Sequence, residues 1–348
     1  MKIKEKKIWQ SLQVIFYLVG LFTIILLLND SLQFLPLFTP TLGRDWFWNI
    51  LIFSAPLVFT LFPGFWRNIC PLGTMSLIPL HYHLSKGHKQ SLKQQSNFYL
   101  YSIILLYLIV PLRHVETSGL AVAITLIIIA LSALLMGYIY QGKSGWCSGI
   151  CPVLPVEKLY GVKPLVTLNN AHCAQCINCV SPCLDANQIL NKTANMSQHS
   201  LSMTHLLFVG SFPGFVWGWF QVNDFAQRMD GWQHLGAVYS MPLTGALITL
   251  VCFMILKQEL STHELKKLIL FFTASAISCY YYYRVPSVLG MTDSAGVFGI
   301  DFSNYAHYTQ AIQLSITLFF FWWFFAREKI ITWGNKPASP EKAHLSQQ

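Results

Sequence analysis

The sequence predicts an all-α polytopic membrane protein, with about eight transmembrane helices and one small cysteine-bearing loop on the cytoplasmic side. Three observations predict it. The 348 residues are 54% hydrophobic and only 11% charged, where soluble domains carry roughly 25% charged residues. Apolar windows free of Lys and Arg recur along the whole chain. Basic residues gather between alternate windows. The mean hydropathy of +0.47 and an aromatic content of 15% agree, since Trp and Tyr form belts at membrane interfaces.

A transmembrane helix needs about 20 largely apolar residues, with a range of about 17–25. Window 8–28 follows the basic start MKIKEKK, which resembles the opening of a signal peptide. The apolar stretch is too long for that role and no A-x-A site follows, so a retained first span is expected. Windows 46–62 and 97–112 are short, and window 119–142 completes an N-terminal four-helix region, 1–142. A polar segment, 143–200, comes next and is the expected iron–sulfur segment. Windows 201–222, 235–256, the short 268–283 and 308–326 make a C-terminal four-helix region, 201–326, before a polar tail, 327–348. Helices are the only option, because lipid cannot satisfy backbone N–H and C=O groups.

Charge sets the orientation. With the N-terminus inside, segments 1–7, 63–96, 143–200, 257–267 and 327–348 hold 19 of the 23 Lys and Arg. The outer loops hold Arg44, Arg113, Arg228 and Arg284. This positive-inside split predicts an even number of spans, with both termini and every clustered cysteine in the cytoplasm of a bacterial inner-membrane protein. The formal charge of +9 then belongs to cytoplasmic loops, and no nucleic-acid partner is expected.

Cys173, Cys176, Cys179 and Cys183 form a C-x2-C-x2-C-x3-C run. This is the spacing of a ferredoxin loop around a [4Fe–4S] cluster, whose irons these thiolates would hold. Zinc also takes four thiolates, but its usual pattern is two separated C-x2-C knuckles. In the usual bacterial run Pro follows the last Cys; here Pro182 precedes Cys183. A second constellation is Cys147 and Cys151 in a C-x3-C-P motif, and a third is Cys70-Pro71, where position 66 holds Trp66. Cys70, Cys147 and Cys151 are candidates for a second cluster. Two clusters take eight ligands, and Cys252, His172, His81 or His83 are candidates for the eighth. The alternative is one cluster and three unligated thiols. Ile69-Cys70-Pro71-Leu72 and Ile150-Cys151-Pro152-Val153 also read as a weak internal repeat.

These residues resemble the membrane-bound ferredoxin-type proteins of the nitrous-oxide and periplasmic nitrate reductase systems, with cytochrome oxidase accessory iron–sulfur proteins as relatives. WCSGICPVLPVEKLY, residues 146–160, looks like that family's second helix-end motif, and RNICPLG, residues 67–73, like a degraded first one. The resemblance covers about residues 46–190. It implies electron transfer between a membrane pool and redox partners, and carries over to Cys147, Cys151, Cys173, Cys176, Cys179 and Cys183, with Cys70 as a weaker match.

A second redox site would let electrons cross the membrane. Haem b wants axial histidines. His205 falls inside the fifth window, and His114, His234 and His307 fall at predicted outer helix ends, where haem or a quinone is one reading and bonding to backbone or headgroups the other. Glu116, Asp224 and Asp230 share that face and could shuttle protons. Tyr280 to Tyr283 and Phe320 to Phe325 read as aromatic belts. The expected function is electron transfer from a cytoplasmic carrier such as ferredoxin to a membrane quinone or redox subunit. An accessory or assembly factor for a metalloenzyme, or a redox sensor, is the alternative.

Overall fold

The computed structural model describes residues 3–116, 118–166, 198–222, 233–292 and 296–327, and among these it is helical, without strands. Helix α1 (Ile3–Leu32) is followed by α2 (Leu42–Trp46), a π-helical turn (Phe47–Leu51) and α3 (Ile52–Leu61). Short helices α4 (Pro63–Ile69), α5 (Pro71–Met75) and α6 (Ile78–His81) lead to α7 (Leu92–Leu112) and α8 (Gly119–Ile139). A second π-helical turn (Trp146–Ile150) and α9 (Leu154–Tyr160) close the first half. The second half is α10 (Gln198–Phe220), α11 (Leu235–Gln258), α12 (Thr262–Val288), 3-10 turns at Val297–Gly299 and Ser303–Tyr308, and α13 (Thr309–Phe325).

Lys7–Leu32, Lys93–Leu112, Gly119–Ile139 and Leu235–Gln258 are long and apolar enough to cross a membrane. They match the first, third, fourth and sixth windows. The fifth, seventh and eighth windows also fold as helices, α10, α12 and α13. Tyr, Trp, Ser and Gly residues make α10 and α12 less apolar, and α13, at 17 residues, is short. Of the eight expected spans, composition and length therefore mark four.

The second window folds as a π-helical turn running into α3, and α3 carries a proline. Pro56 lies inside α3, where it has no N–H to give to the carbonyl four residues back. That carbonyl, on Ile52, accepts from the Tyr280 hydroxyl at 3.3 Å. At the next rung Tyr281 inserts its hydroxyl: Leu57 N–H donates to it at 3.0 Å, and it donates to Phe53 C=O at 2.8 Å. Side chains commonly repair proline breaks in this way inside membranes. Tyr281 is accordingly buried at 4% exposure, which corrects its placement in an interfacial belt. Phe320 stacks on it, and Phe320, Trp323 and Phe324 are also buried, so the expected second belt is partly core.

Helix α10 is the axis of the second half. Its Gly210, Gly214 and Gly218 recur every four residues, the small-residue spacing that lets membrane helices touch backbone to backbone. A Cβ on Gly214 would stand 1.9 Å from the Gly245 carbonyl oxygen, and one on Gly245 would stand 2.2 Å from that of Gly214. The α10–α11 contact therefore exists only without those side chains. Against α7, helix α10 is held by three polar rungs about two turns apart: Tyr99 hydroxyl to His205 Nδ1 at 2.8 Å, Tyr107 hydroxyl to Ser211 Oγ at 2.7 Å, and His114 Nε2 to Trp219 C=O at 3.1 Å. Between the rungs Tyr107 stacks on Phe215 at 4.1 Å. This core joins both halves of the chain, since Phe59, Tyr99, Leu154, Tyr160, Phe208 and Phe324 belong to one cluster.

Candidate metal centre

The four-cysteine run, Cys173 to Cys183, lies outside the described residues, as do His172, Asp224 and Asp230. The chain leading to the run is anchored. Leu165 N–H donates to Leu61 C=O at 2.8 Å, at the end of α3. Lys163 donates its Nζ to Arg327 C=O at 2.8 Å and accepts at its own carbonyl from Trp323 Nε1 at 3.1 Å. The Arg327 guanidinium lies over the Trp323 ring at 3.8 Å.

Cys70, Cys147 and Cys151 are described, and all three are half-buried free thiols. Their backbones follow from the sequence around them. A residue before proline is pushed out of the helical region toward extended backbone. Cys70 (φ −52°, ψ 121°) and Cys151 (φ −57°, ψ 122°) obey this and adopt nearly one conformation. Each closes the helical turn before it, with Cys70 N–H on Trp66 C=O at 2.8 Å and Cys151 N–H on Trp146 C=O at 3.1 Å. The Cys70 carbonyl then accepts from Thr74 N–H, and the Cys151 carbonyl from Leu154 N–H. The two Ile-Cys-Pro segments are thus equivalent corners.

The corners face each other. The three thiols are close enough that charge on one disfavours charge on the next, Cys147 on Cys151 and Cys70 on both. Gly73 opens the space beside them: a Cβ there would stand 3.2 Å from Cys147 Sγ and 3.5 Å from Lys143 Nζ. Lys143 donates to Arg67 C=O at 2.6 Å, three residues before Cys70. Arg67 itself runs to α9, where its Nε donates to Glu157 Oε1 at 2.5 Å with both side chains buried. This ion pair ties the Cys70 corner to the helix that follows Cys151. No proximity in the sequence announced it, since the partners are 90 residues apart.

Electrostatics at the site favour neutral thiols in the metal-free protein. Burial pushes the Cys147 thiol up to about 12, with Lys143 pulling against it. Cys151 is raised well above the ordinary thiol value by burial and then by its two neighbours. Cys70 is raised by burial, opposed by the Gly73 N–H and by Lys143. Such thiols are poor nucleophiles, and they become thiolates when a bound metal displaces their protons. Three thiolates supply three of the four that a [4Fe–4S] cluster takes. Among the described residues no three His, Cys, Asp or Glu side chains gather tightly enough to hold a single metal ion.

The structure does not gather the other candidates at these corners. Cys252 is exposed on α11, and His81, the last residue of α6, and His83 just after it are exposed. His205 Nδ1 is bonded to Tyr99, and Lys158 on α9 lies over that Tyr99 ring at 4.3 Å. His114 is buried against Trp219, and His307 packs on Tyr308 at 4.0 Å. At the predicted outer side Arg284 bonds to the Trp48 carbonyl and Asn49, and Arg113 lies over the Trp48 ring. An apolar cavity of about 920 Å³ lies nearby, walled by Phe53, Leu57, Tyr281, Phe302, Tyr305 and Phe320 among others.

No protein-family model, curated protein or solved structure matches this chain. The resemblance to ferredoxin-type membrane proteins rests on the cysteine motifs themselves.

Proposed function

We propose that this chain is an iron–sulfur electron-transfer protein of a bacterial cytoplasmic membrane. It takes electrons from a cytoplasmic carrier such as a ferredoxin and passes them to a membrane quinone or a partner redox subunit. The observation that carries this reading is the C-x2-C-x2-C-x3-C run at Cys173, Cys176, Cys179 and Cys183, set in a chain of apolar helices. A thiolate-held cluster supplies one-electron chemistry, with its potential set by burial and hydrogen bonding around the sulfurs.

The contacts support the sidedness this requires. Residues expected inside touch one another: Arg67 with Glu157, Lys143 with Arg67, and Lys163 with Arg327. Residues expected outside do the same: Arg113 and Arg284 with Trp48, and His114 with Trp219. In eight-span topology the run, its anchor at Lys163 and the two Cys-Pro corners share the cytoplasmic end.

The test uses full-length protein purified without oxygen, with iron and acid-labile sulfide counted and paramagnetic resonance recorded. The reading expects a cluster signal that turns over with reduced ferredoxin or quinol. Cys176→Ser loses the visible iron–sulfur absorbance while the helices still insert. Iron-free wild-type protein refutes the proposal. A cluster that exchanges electrons with neither carrier moves the assignment to an accessory factor or sensor.

A further inference from the structure

We propose that the apolar cavity between α3, α12 and α13 holds an isoprenoid quinone, with its ring at the mouth beside Tyr305 and Tyr308 and its tail along α13. The cavity owes nothing to the cysteines; the choice of a quinone as occupant rests on the electron-transfer reading. The volume of about 920 Å³ falls in the range of about 300–1,000 Å³ usual for small-molecule sites. The space is elongated. Wall residues on α13 run from Ala311 to Phe320, about 14 Å at 1.5 Å per residue. Tyr281, Met291 and Phe320 make a buried floor, and Tyr305 and Tyr308 stand half exposed at the open edge.

The chemistry of the walls selects the occupant. Seven wall residues are aromatic, and among the described residues none in the wall is Lys, Arg, His, Asp or Glu. Two of the four wall hydroxyls are engaged within the protein: Tyr281 bridges Leu57 N–H and Phe53 C=O, and Ser315 donates to Ala311 C=O at 2.8 Å. Tyr305 and Tyr308 pack their rings on Phe302 and His307, and their hydroxyls bond to no described residue. Phenol donors at the mouth of an aromatic, uncharged cavity match a flat neutral ring that carries carbonyl acceptors. They do not match a phospholipid head, for which membrane proteins build basic pockets. Arg284, next to the wall residue Val285, bonds instead to Trp48 C=O and Asn49. The inner end of the cavity approaches the anchor of the cysteine run. Leu57 lies four residues before Leu61, whose carbonyl holds Leu165 N–H, and Phe320 lies three before Trp323, which donates to Lys163 C=O. On both helices about one turn, or about 5.4 Å of rise, separates the wall from the segment that leads to Cys173.

The test uses full-length protein in mild detergent, photolabelled with an azido-substituted short-tail ubiquinone and mapped by peptide mass spectrometry. The label is expected on the segment from Phe302 to Phe320. Unlabelled decylubiquinone is expected to compete for the site, and phosphatidylethanolamine is not. Ala311→Trp fills the cavity and is expected to abolish the label. Tyr305→Phe and Tyr308→Phe keep the rings and remove the donors, and each is expected to weaken binding about two- to tenfold. Cys176→Ser is expected to bind the quinone as the wild type does.

Label that falls elsewhere, or that persists in Ala311→Trp, overturns the site. Equal competition by phosphatidylethanolamine overturns the quinone and makes the cavity a seat for a lipid acyl chain. Undiminished binding in the variant lacking both hydroxyls overturns the placement of the ring. If Ala311→Trp does not insert, Ser315→Phe fills the same cavity one turn further along α13 and is read in the same way. The two readings fail separately: iron-free wild-type protein that still takes the label refutes electron transfer and keeps the site. An iron-loaded protein that turns over with quinol but takes the label elsewhere does the reverse.

Discussion

Removing Glu157 isolates the contact that joins the two cysteine corners. Arg67 and Glu157 side chains are 7% and 8% exposed, and their closest atoms are 2.5 Å apart. Truncating one partner of such a pair leaves a buried charge alone, which costs about 3–5 kcal/mol. Replacing both with apolar residues of similar size removes the charge as well as the attraction, and is often neutral. We therefore expect Glu157→Leu and Arg67→Met each to lose about 3–5 kcal/mol, and the double variant to recover most of it. The assay is denaturation in mixed detergent, followed by tryptophan fluorescence; buried Trp146 reports directly on the corner. Single variants that each cost under about 0.5 kcal/mol and simply add in the double variant would refute a coupled buried pair.

Four further outcomes follow. Gly214→Ala puts a methyl group on the Gly245 carbonyl; prising the helices apart is expected to cost about 1–3 kcal/mol, measured in the same denaturation, with a larger loss for Gly214→Leu. Tyr281→Phe strands the Leu57 N–H and the Phe53 C=O, each worth about 1–3 kcal/mol when buried and unpaired, and a variant as stable as wild type would contradict the inserted hydroxyl. In metal-free protein, burial makes Cys147 react slowly with maleimide at neutral pH, and the rate should climb as pH rises toward about 12; fast labelling at pH 7 counts against a buried thiol. Ser261 caps α12 in a reciprocal pair with Glu264, whose carboxyl lies below its ordinary value because Ser261 bonds to its charged form. That stabilisation is present above the ordinary carboxyl value and fades as pH falls through the lowered one, so Ser261→Ala should remove an acid-side loss of helix stability visible by circular dichroism.

Much of the architecture was legible because the bilayer imposes it. Windows free of Lys and Arg became helices, and four of those helices are long and apolar enough to cross a membrane. The Ile-Cys-Pro repeat was legible for a local reason: proline constrains the residue before it, so similar words made similar corners. Other features depend on partners far along the chain. The ion pair of Arg67 with Glu157 joins residues from two motifs without any local signal. Tyr280 and Tyr281 look like interfacial aromatics until Pro56, more than two hundred residues earlier, creates a carbonyl in need of a donor. Gly210, Gly214 and Gly218 did carry a readable signal, a four-residue spacing of small residues inside an apolar helix. Cysteine motifs drew attention away from it.

The twin Cys-Pro corners bear on how the protein could be assembled. Proline fixes the bend of each corner through covalent geometry. The sulfur-bearing segments can therefore take their places as soon as the surrounding bundle packs. The two bends therefore need no ligand to hold them.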